Sequence, residues 1–158
     1  MGVIVQLPAD AVARLSSAIA ALVPADEPRF LAALELGYLA ASADGLDEAE
    51  RAALATTLER VTGTRHDQTA FAAHFADLDA AVATLGRRER LARTAAEFDT
   101  DEVRADAIRF AALISMCDGT LHAPELEVLA EAAGHFQWSA EKVRSLVDEA
   151  AARVGGAR

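Results

Sequence analysis

Leu39-Ala40-Ala41-Ser42-Ala43-Asp44-Gly45-Leu46-Asp47-Glu48-Ala49-Glu50 reads as the end of one helix, a corner, and the start of another. Leucine and alanine keep the first part helical. Gly45 can take the left-handed backbone that ends a helix, because it has no Cβ to clash. Asp47 and Glu50 stand at the spacing of a capping box. The same succession returns as Leu113-Ile114-Ser115-Met116-Cys117-Asp118-Gly119-Thr120-Leu121-His122-Ala123-Pro124-Glu125. Leu39 matches Leu113, Asp44 matches Asp118 and Gly45 matches Gly119. After one inserted residue, Leu46 matches Leu121, Glu50 matches Glu125 and Leu54 matches Leu129. Two such helix–corner–helix units are expected to pack face to face about a pseudo-twofold axis and bring the corners together.

Composition points the same way. Hydrophobic residues make up 53% of the chain, but alanine dominates them and aromatics are only 5%. Val, Ile and Thr are too scattered for a sheet. The expectation is an all-α bundle of seven to eight helices, one domain over residues 1–158. A chain of this size buries enough surface to fold without disulfide or metal. The net charge of −10 argues against nucleic acid, which needs a basic footprint. It suits cations or a basic protein partner. Cys117 is the only cysteine, so no internal disulfide is possible, as suits a reducing compartment. Met1 to Pro8 has no basic region and too short an apolar run for a signal peptide, and no stretch is long enough to span a membrane. A cytoplasmic protein is expected.

Residues 1–7 read as an apolar tail on the core. From Pro8, the positions Val12, Leu15, Ile19 and Leu22 predict a first helix that Pro24 stops. Asp26 caps a second, with Phe30, Leu34, Tyr38 and Ala41 on its inner face and Leu31 and Leu39 beside it. A third starts at Asp47, buries Leu54, Leu58 and Val61, and ends at Gly63. Asp67 caps a fourth, carrying Phe71, Phe75, Leu78, Val82 and Leu85, and Gly86 ends it. A short charged helix spans about Arg87 to Phe98. Asp99 and Glu102 form a capping box for the sixth, which buries Val103, Phe110, Leu113 and Ile114. Pro124 opens the seventh, which buries Leu126, Leu129 and Ala133 up to Gly134. Ser139 caps the eighth, with Val143, Leu146 and Val147 inward, and Gly155-Gly156 closes the fold.

Asp44 and Asp118 are the corner residues that propensity does not explain. Each follows a helix C-terminus, where the dipole disfavours an anion. Two readings are open. Each aspartate caps the element that follows, or the corners hold a cation, the first offering Asp44, Asp47, Glu48 and Glu50 and the second Asp118, His122 and Glu125. Crowded carboxylates repel by roughly 1–4 kcal/mol per close pair, which a divalent ion relieves. Oxygen ligands favour Ca²⁺, Mg²⁺ or Mn²⁺, and His122 adds some preference for Mn²⁺ or, less so, Zn²⁺. Neither corner has the twelve-residue loop of an EF-hand.

Ala40-Ala41-Ser42-Ala43-Asp44-Gly45 with Glu50, repeated as Ser115-Met116-Cys117-Asp118-Gly119-Thr120-Leu121-His122-Ala123-Pro124-Glu125, resembles the tellurite-resistance TerB-like family. Phe136-Gln137-Trp138-Ser139-Ala140-Glu141-Lys142-Val143 is similar to that family's entry into its last helix. The resemblance covers about residues 28–150. It implies an all-α fold of two similar halves, a bacterial, non-enzymatic role in tellurite or chemical stress, and metal binding at Asp44, Glu50, Asp118 and Glu125. The first corner is one residue shorter than the family's usual spacing, and His122 stands where a small or acidic residue is common.

Other residues read as structural. His74, between Phe71 and Phe75, is expected to be partly buried and hydrogen-bonded. Cys117 is expected to be inert, and Trp138 and Phe136 to pack in the core. Arg87, Arg88, Arg90 and Arg93 are expected to pair with acidic helices, or to meet an anionic partner or membrane surface weakly. No nucleophile elbow, phosphate loop, zinc-protease or dinucleotide motif is present. A binding module, with a partner protein, is favoured over an enzyme. The alternative is a metal-free interaction scaffold whose corners are helix caps.

Overall fold

A computed structural model describes residues 3–24, 27–43, 45–63 and 66–155. Its helices are α1 Ala9–Val12, α2 Leu15–Leu22, α3 Glu27–Ala41, α4 Glu48–Val61, α5 Gln68–Leu85, α6 Arg87–Ala95, α7 Asp101–Ser115, α8 Ala123–Gly134 and α9 Ala140–Val154. Two short strands, β1 Val3–Gln6 and β2 Thr120–His122, pair antiparallel. The fold is all-α apart from this small sheet.

The helix starts are chemically explicit. Asp47 accepts from the Glu50 N–H at 2.7 Å while Glu50 accepts from the Asp47 N–H at 2.9 Å, a complete capping box. Asp67 accepts from the Ala70 N–H and Ser139 from the Lys142 N–H. Gly45, Gly63, Gly86 and Gly119 all have positive φ where the chain leaves a helix.

Two helices form the centre. Every residue from Ala32 to Ala41 of α3 is buried, as are Phe110 to Ser115 of α7. A helix buried all round must be enclosed by others. Helices α3 and α7 pack most extensively on each other; α6 and α8 cover α3, while α2 and α9 cover α7. They approach closely at Gly37. A Cβ built there would lie 3.1 Å from the Cβ and Cδ1 of Ile114.

Several sequence expectations are corrected. The N-terminal segment is not a simple tail but strand β1, and Leu7 extends it by donating to the Gly119 carbonyl at 2.8 Å. Such a short strand is marginal alone, so its signal lies in a partner more than a hundred residues away. The first helix is two, broken by a turn at Ala13 and Arg14. That break sends Arg14 Nε to the Val154 carbonyl, 3.0 Å away, where α9 ends with free acceptors. Helix α7 is capped by Thr100, whose hydroxyl accepts from the Val103 N–H, not by Asp99. Asp99 instead pairs with Arg29 at 3.2 Å. Leu31 and Leu85 are exposed. The expected roles of Asp26 and Gly156 lie outside the described residues.

One charged residue sits inside the central helix. Glu35 is 7% exposed. It accepts from Arg90 Nε and Nη2 and from the Thr94 hydroxyl, all three on α6. A buried carboxylate is costly to desolvate, and a forked guanidinium with an added hydroxyl offsets that cost.

Two stability predictions follow from this packing. Gly37→Ala is expected to cost about 1–3 kcal/mol despite alanine's helix propensity, because the β-branched Ile114 cannot swing aside. In urea unfolding the cost should shrink on an Ile114→Ala background. Arg90→Met is expected to cost roughly 3 kcal/mol by stranding the Glu35 carboxylate, with most of it recovered in Glu35→Leu/Arg90→Met.

Candidate functional site

The second corner is built by three local devices. Helix α7 ends at Ser115, and the Gly119 N–H donates back to the Met116 carbonyl at 2.7 Å. Asp118 Oδ1 accepts from the Thr120 N–H at 3.0 Å and from its hydroxyl at 3.2 Å, an Asx-type turn. The chain then runs extended as β2 into α8, where Glu125 Oε1 accepts from the His122 N–H at 2.8 Å. The residue inserted in this corner falls where β2 forms. Leu121 of that strand is fully buried, whereas its counterpart Leu46 is only half-buried.

The two corners meet. Gly45, Leu46 and Glu50 from the first, and Cys117, Asp118, His122 and Glu125 from the second, line one cleft of about 350 Å³. Its apolar wall includes Leu54 and Ile114. Glu125 is buried, His122 is half-buried, and Glu50 and Asp118 are exposed. The His122 Nδ1 lies 3.7 Å from Glu125 Oε1. The Cys117 thiol registers this surrounding charge. Burial first, then Asp118, Glu125 and the more distant Glu50, push it up to about 12.

The structure thus gathers Glu50, Asp118, His122 and Glu125. Asp47 is not part of the cleft lining; it is the exposed N-cap of α4. Asp44 lies outside the described residues. Among the described residues no group of three or more His, Cys, Asp and Glu side chains is disposed to hold a metal ion. Asp47, Glu50, Asp118 and Glu125 each commit one oxygen to a backbone N–H.

Sequence reading missed a polar network on the other side of the first corner. Tyr38 donates its hydroxyl hydrogen to Asp79 at 2.9 Å and accepts from Arg51 Nε at 3.2 Å. Arg51 Nη2 also reaches the Leu46 carbonyl at 3.4 Å and Asp79 at 3.6 Å. Burial holds the Tyr38 phenol above its ordinary value, with the Arg51 hydrogen bond acting the other way. No spacing rule links residues from α3, α4 and α5. The buried Glu35 did carry a signal, as the single charge in Phe30-Leu31-Ala32-Ala33-Leu34-Glu35-Leu36-Gly37-Tyr38.

Other candidates fall into structural roles. Arg88 lies 3.9 Å from Glu131, Arg90 holds Glu35, and Arg93 lies 3.3 Å from Glu89. Phe136 is buried and Trp138 half-buried, joined edge to face at 5.2 Å. His74 is half-buried as expected, and burial lowers its pKa. The expected hydrogen bond is not seen at Nε2, which has no partner among the described residues.

Cys117 should therefore be a poor nucleophile. At pH 8 the folded protein is expected to react with a thiol reagent at least about a hundredfold more slowly than the urea-unfolded chain. Because folding raises this pKa, its contribution to stability is complete below about pH 9 and is lost as the pH climbs toward about 12. A Cys117→Ala variant should lack that component of the alkaline stability loss.

No curated protein and no solved structure matches the chain. Residues 30–147 match the family described as Tellurite resistance protein TerB. That span takes in both corners, the cleft between them and the helices that carry it, and the chain belongs to the TerB family.

Proposed function

We propose that this protein is a non-enzymatic, tellurite- or chemical-stress-associated binding protein that takes a divalent cation where its two Asp-Gly corners meet. The observation that carries this reading is the shared cleft: Glu50 from one corner and Asp118 and Glu125 from the other face the same space beside Cys117. An anionic cleft built from two distant segments is electrostatically unfavourable by itself, and a bound cation offsets the repulsion.

Capping and ligation are compatible chemically. A carboxylate accepts through two oxygens. Glu50 and Asp118 spend Oε1 and Oδ1 on backbone N–H groups, which leaves each a second oxygen for a ligand. Hydrogen bonds of this kind orient metal-binding carboxylates. To hold the ion, Glu50, Asp118, Glu125 and His122 would draw together from their present positions, with Asp44 and Asp47 as further candidates by sequence. Their chemistry suits Ca²⁺, Mg²⁺ or Mn²⁺, and Zn²⁺ less well. Once bound, the ion would tie α4 to α8 across the cleft and so set the surface offered to a partner protein.

The second reading is a metal-free protein scaffold. It is favoured by the backbone hydrogen bonds that Asp47, Glu50, Asp118 and Glu125 make, since a cap requires nothing more.

Amide variants separate the two readings. Glu50→Gln and Asp118→Asn keep the capping acceptor but lose the charge. Thermal unfolding of the parent with Ca²⁺, Mg²⁺, Mn²⁺ or Zn²⁺ at a hundredfold excess over Kd should show stabilisation of about 2.7 kcal/mol. The Glu50→Gln/Asp118→Asn protein should match the parent without metal and lose the response. If no ion stabilises the parent, or the amide variant responds equally, the corners are structural caps.

A further inference from the structure

We propose that a second cleft, behind the first corner, binds a small oxyanion through Arg87 and Arg51. This cavity of about 380 Å³ is lined by Tyr38, Ser42, Leu46, Arg51, Val82 and Arg87, together with Asp79. It adjoins the acidic cleft, since Gly45 and Leu46 line both.

The charge arrangement points to the class of ligand. In a chain of net charge −10, two guanidinium groups from α4 and α6 face one space. Glu48 acts on Arg51 from outside the cleft lining, and the carboxylate within it, Asp79, already accepts from the Tyr38 hydroxyl and lies against Arg51. Its charge is thus largely matched. Arg51 uses Nε and Nη2 on Tyr38, the Leu46 carbonyl and Asp79; among the described residues its Nη1 has no partner.

Arg87 is the more telling residue. Arg88, Arg90 and Arg93 each have an acidic partner, whereas Arg87 has none among the described residues. It also occupies the first position of α6, where the helix dipole repels a cation. An oxyanion in the cleft answers both problems, and guanidinium groups bind such groups through paired N–H donors. Apolar Leu46 and Val82 leave room for a small organic body bearing a phosphate or carboxylate. A concave site between helices suits a small molecule better than a flat membrane surface.

The test is an amide NMR titration of the ¹⁵N-labelled chain with inorganic phosphate, in EDTA and at constant ionic strength, with acetate as a second arm. No divalent cation is present, so the outcome is independent of the cation reading. Saturable shifts at Ser42, Leu46 and Arg87 are expected. The exposed Arg87→Ala change should weaken phosphate binding by about tenfold or more, while Arg88→Ala leaves it unchanged. A stronger response to acetate than to phosphate would support the site with a carboxylate ligand. Shifts that scatter over the surface, equal binding by Arg87→Ala, or binding to phosphatidylglycerol vesicles with no response to either free anion would each overturn the proposal.

Discussion

The contact between Gly37 and Ile114 sets the spacing of α3 and α7, and the remaining helices depend on that spacing. Ala32 to Ala41 of α3 and Phe110 to Ser115 of α7 are buried throughout, so neither segment can move without repacking its cover. Close approach replaces bulk here. Alanines line both helices, and Gly37 leaves the space that the Ile114 side chain fills. Alanine burial releases little apolar area per residue, so such a core gains its stability from tight packing over many contacts. Each corner follows the C-terminal end of one central helix. The distance between the corners is therefore inherited from the distance between the helices.

That inheritance turns ordinary caps into a charged cleft. Taken singly, the Asp47–Glu50 box, the Asp118 turn and the Glu125 hydrogen bond are local solutions to helix and strand ends. Each is worth about 1 kcal/mol to the element it caps. Once α3 and α7 hold the corners together, the same carboxylates face one space, and the Cys117 pKa, raised first by burial, is raised further by Asp118, Glu125 and Glu50. The N-terminal strand reinforces the second corner, by pairing with β2 and through the Leu7 to Gly119 hydrogen bond. The corners are therefore alike in sequence but braced differently. The first leans on Arg51 at the Leu46 carbonyl, the second on a strand.

Charge is sorted in the same manner. A strongly acidic chain with clustered arginines at 87, 88, 90 and 93 could present one basic face, yet helical geometry sends those side chains in different directions. One is half-buried against the buried Glu35, two pair near the surface, and one faces the cleft behind the first corner. The Glu35–Arg90 pair gives α6 a fixed position on α3. That position is what brings Arg87 toward Arg51.

Most helices were legible because their signals are local. Capping residues, left-handed glycines and apolar spacing act within a few residues, and they located the two corners, most helix boundaries and most of the buried face. The candidate residues Glu50, Asp118, His122 and Glu125 were legible as a repeated pattern, but only their packing places them around one cleft. Strand β1, the Thr100 cap in place of Asp99, the Arg14 contact to Val154 and the Tyr38–Arg51–Asp79 network were not legible. Each depends on a partner brought near by the fold, or on a choice between adjacent capping groups. By itself, then, the sequence determined the helical class and the chemistry of each corner, since propensity and capping act within a turn or two. Tertiary structure alone decided which corner residues share a cleft, which arginines are spent on ion pairs and which strand braces the second corner. Those outcomes depend on distances between segments far apart in the chain, and packing sets such distances.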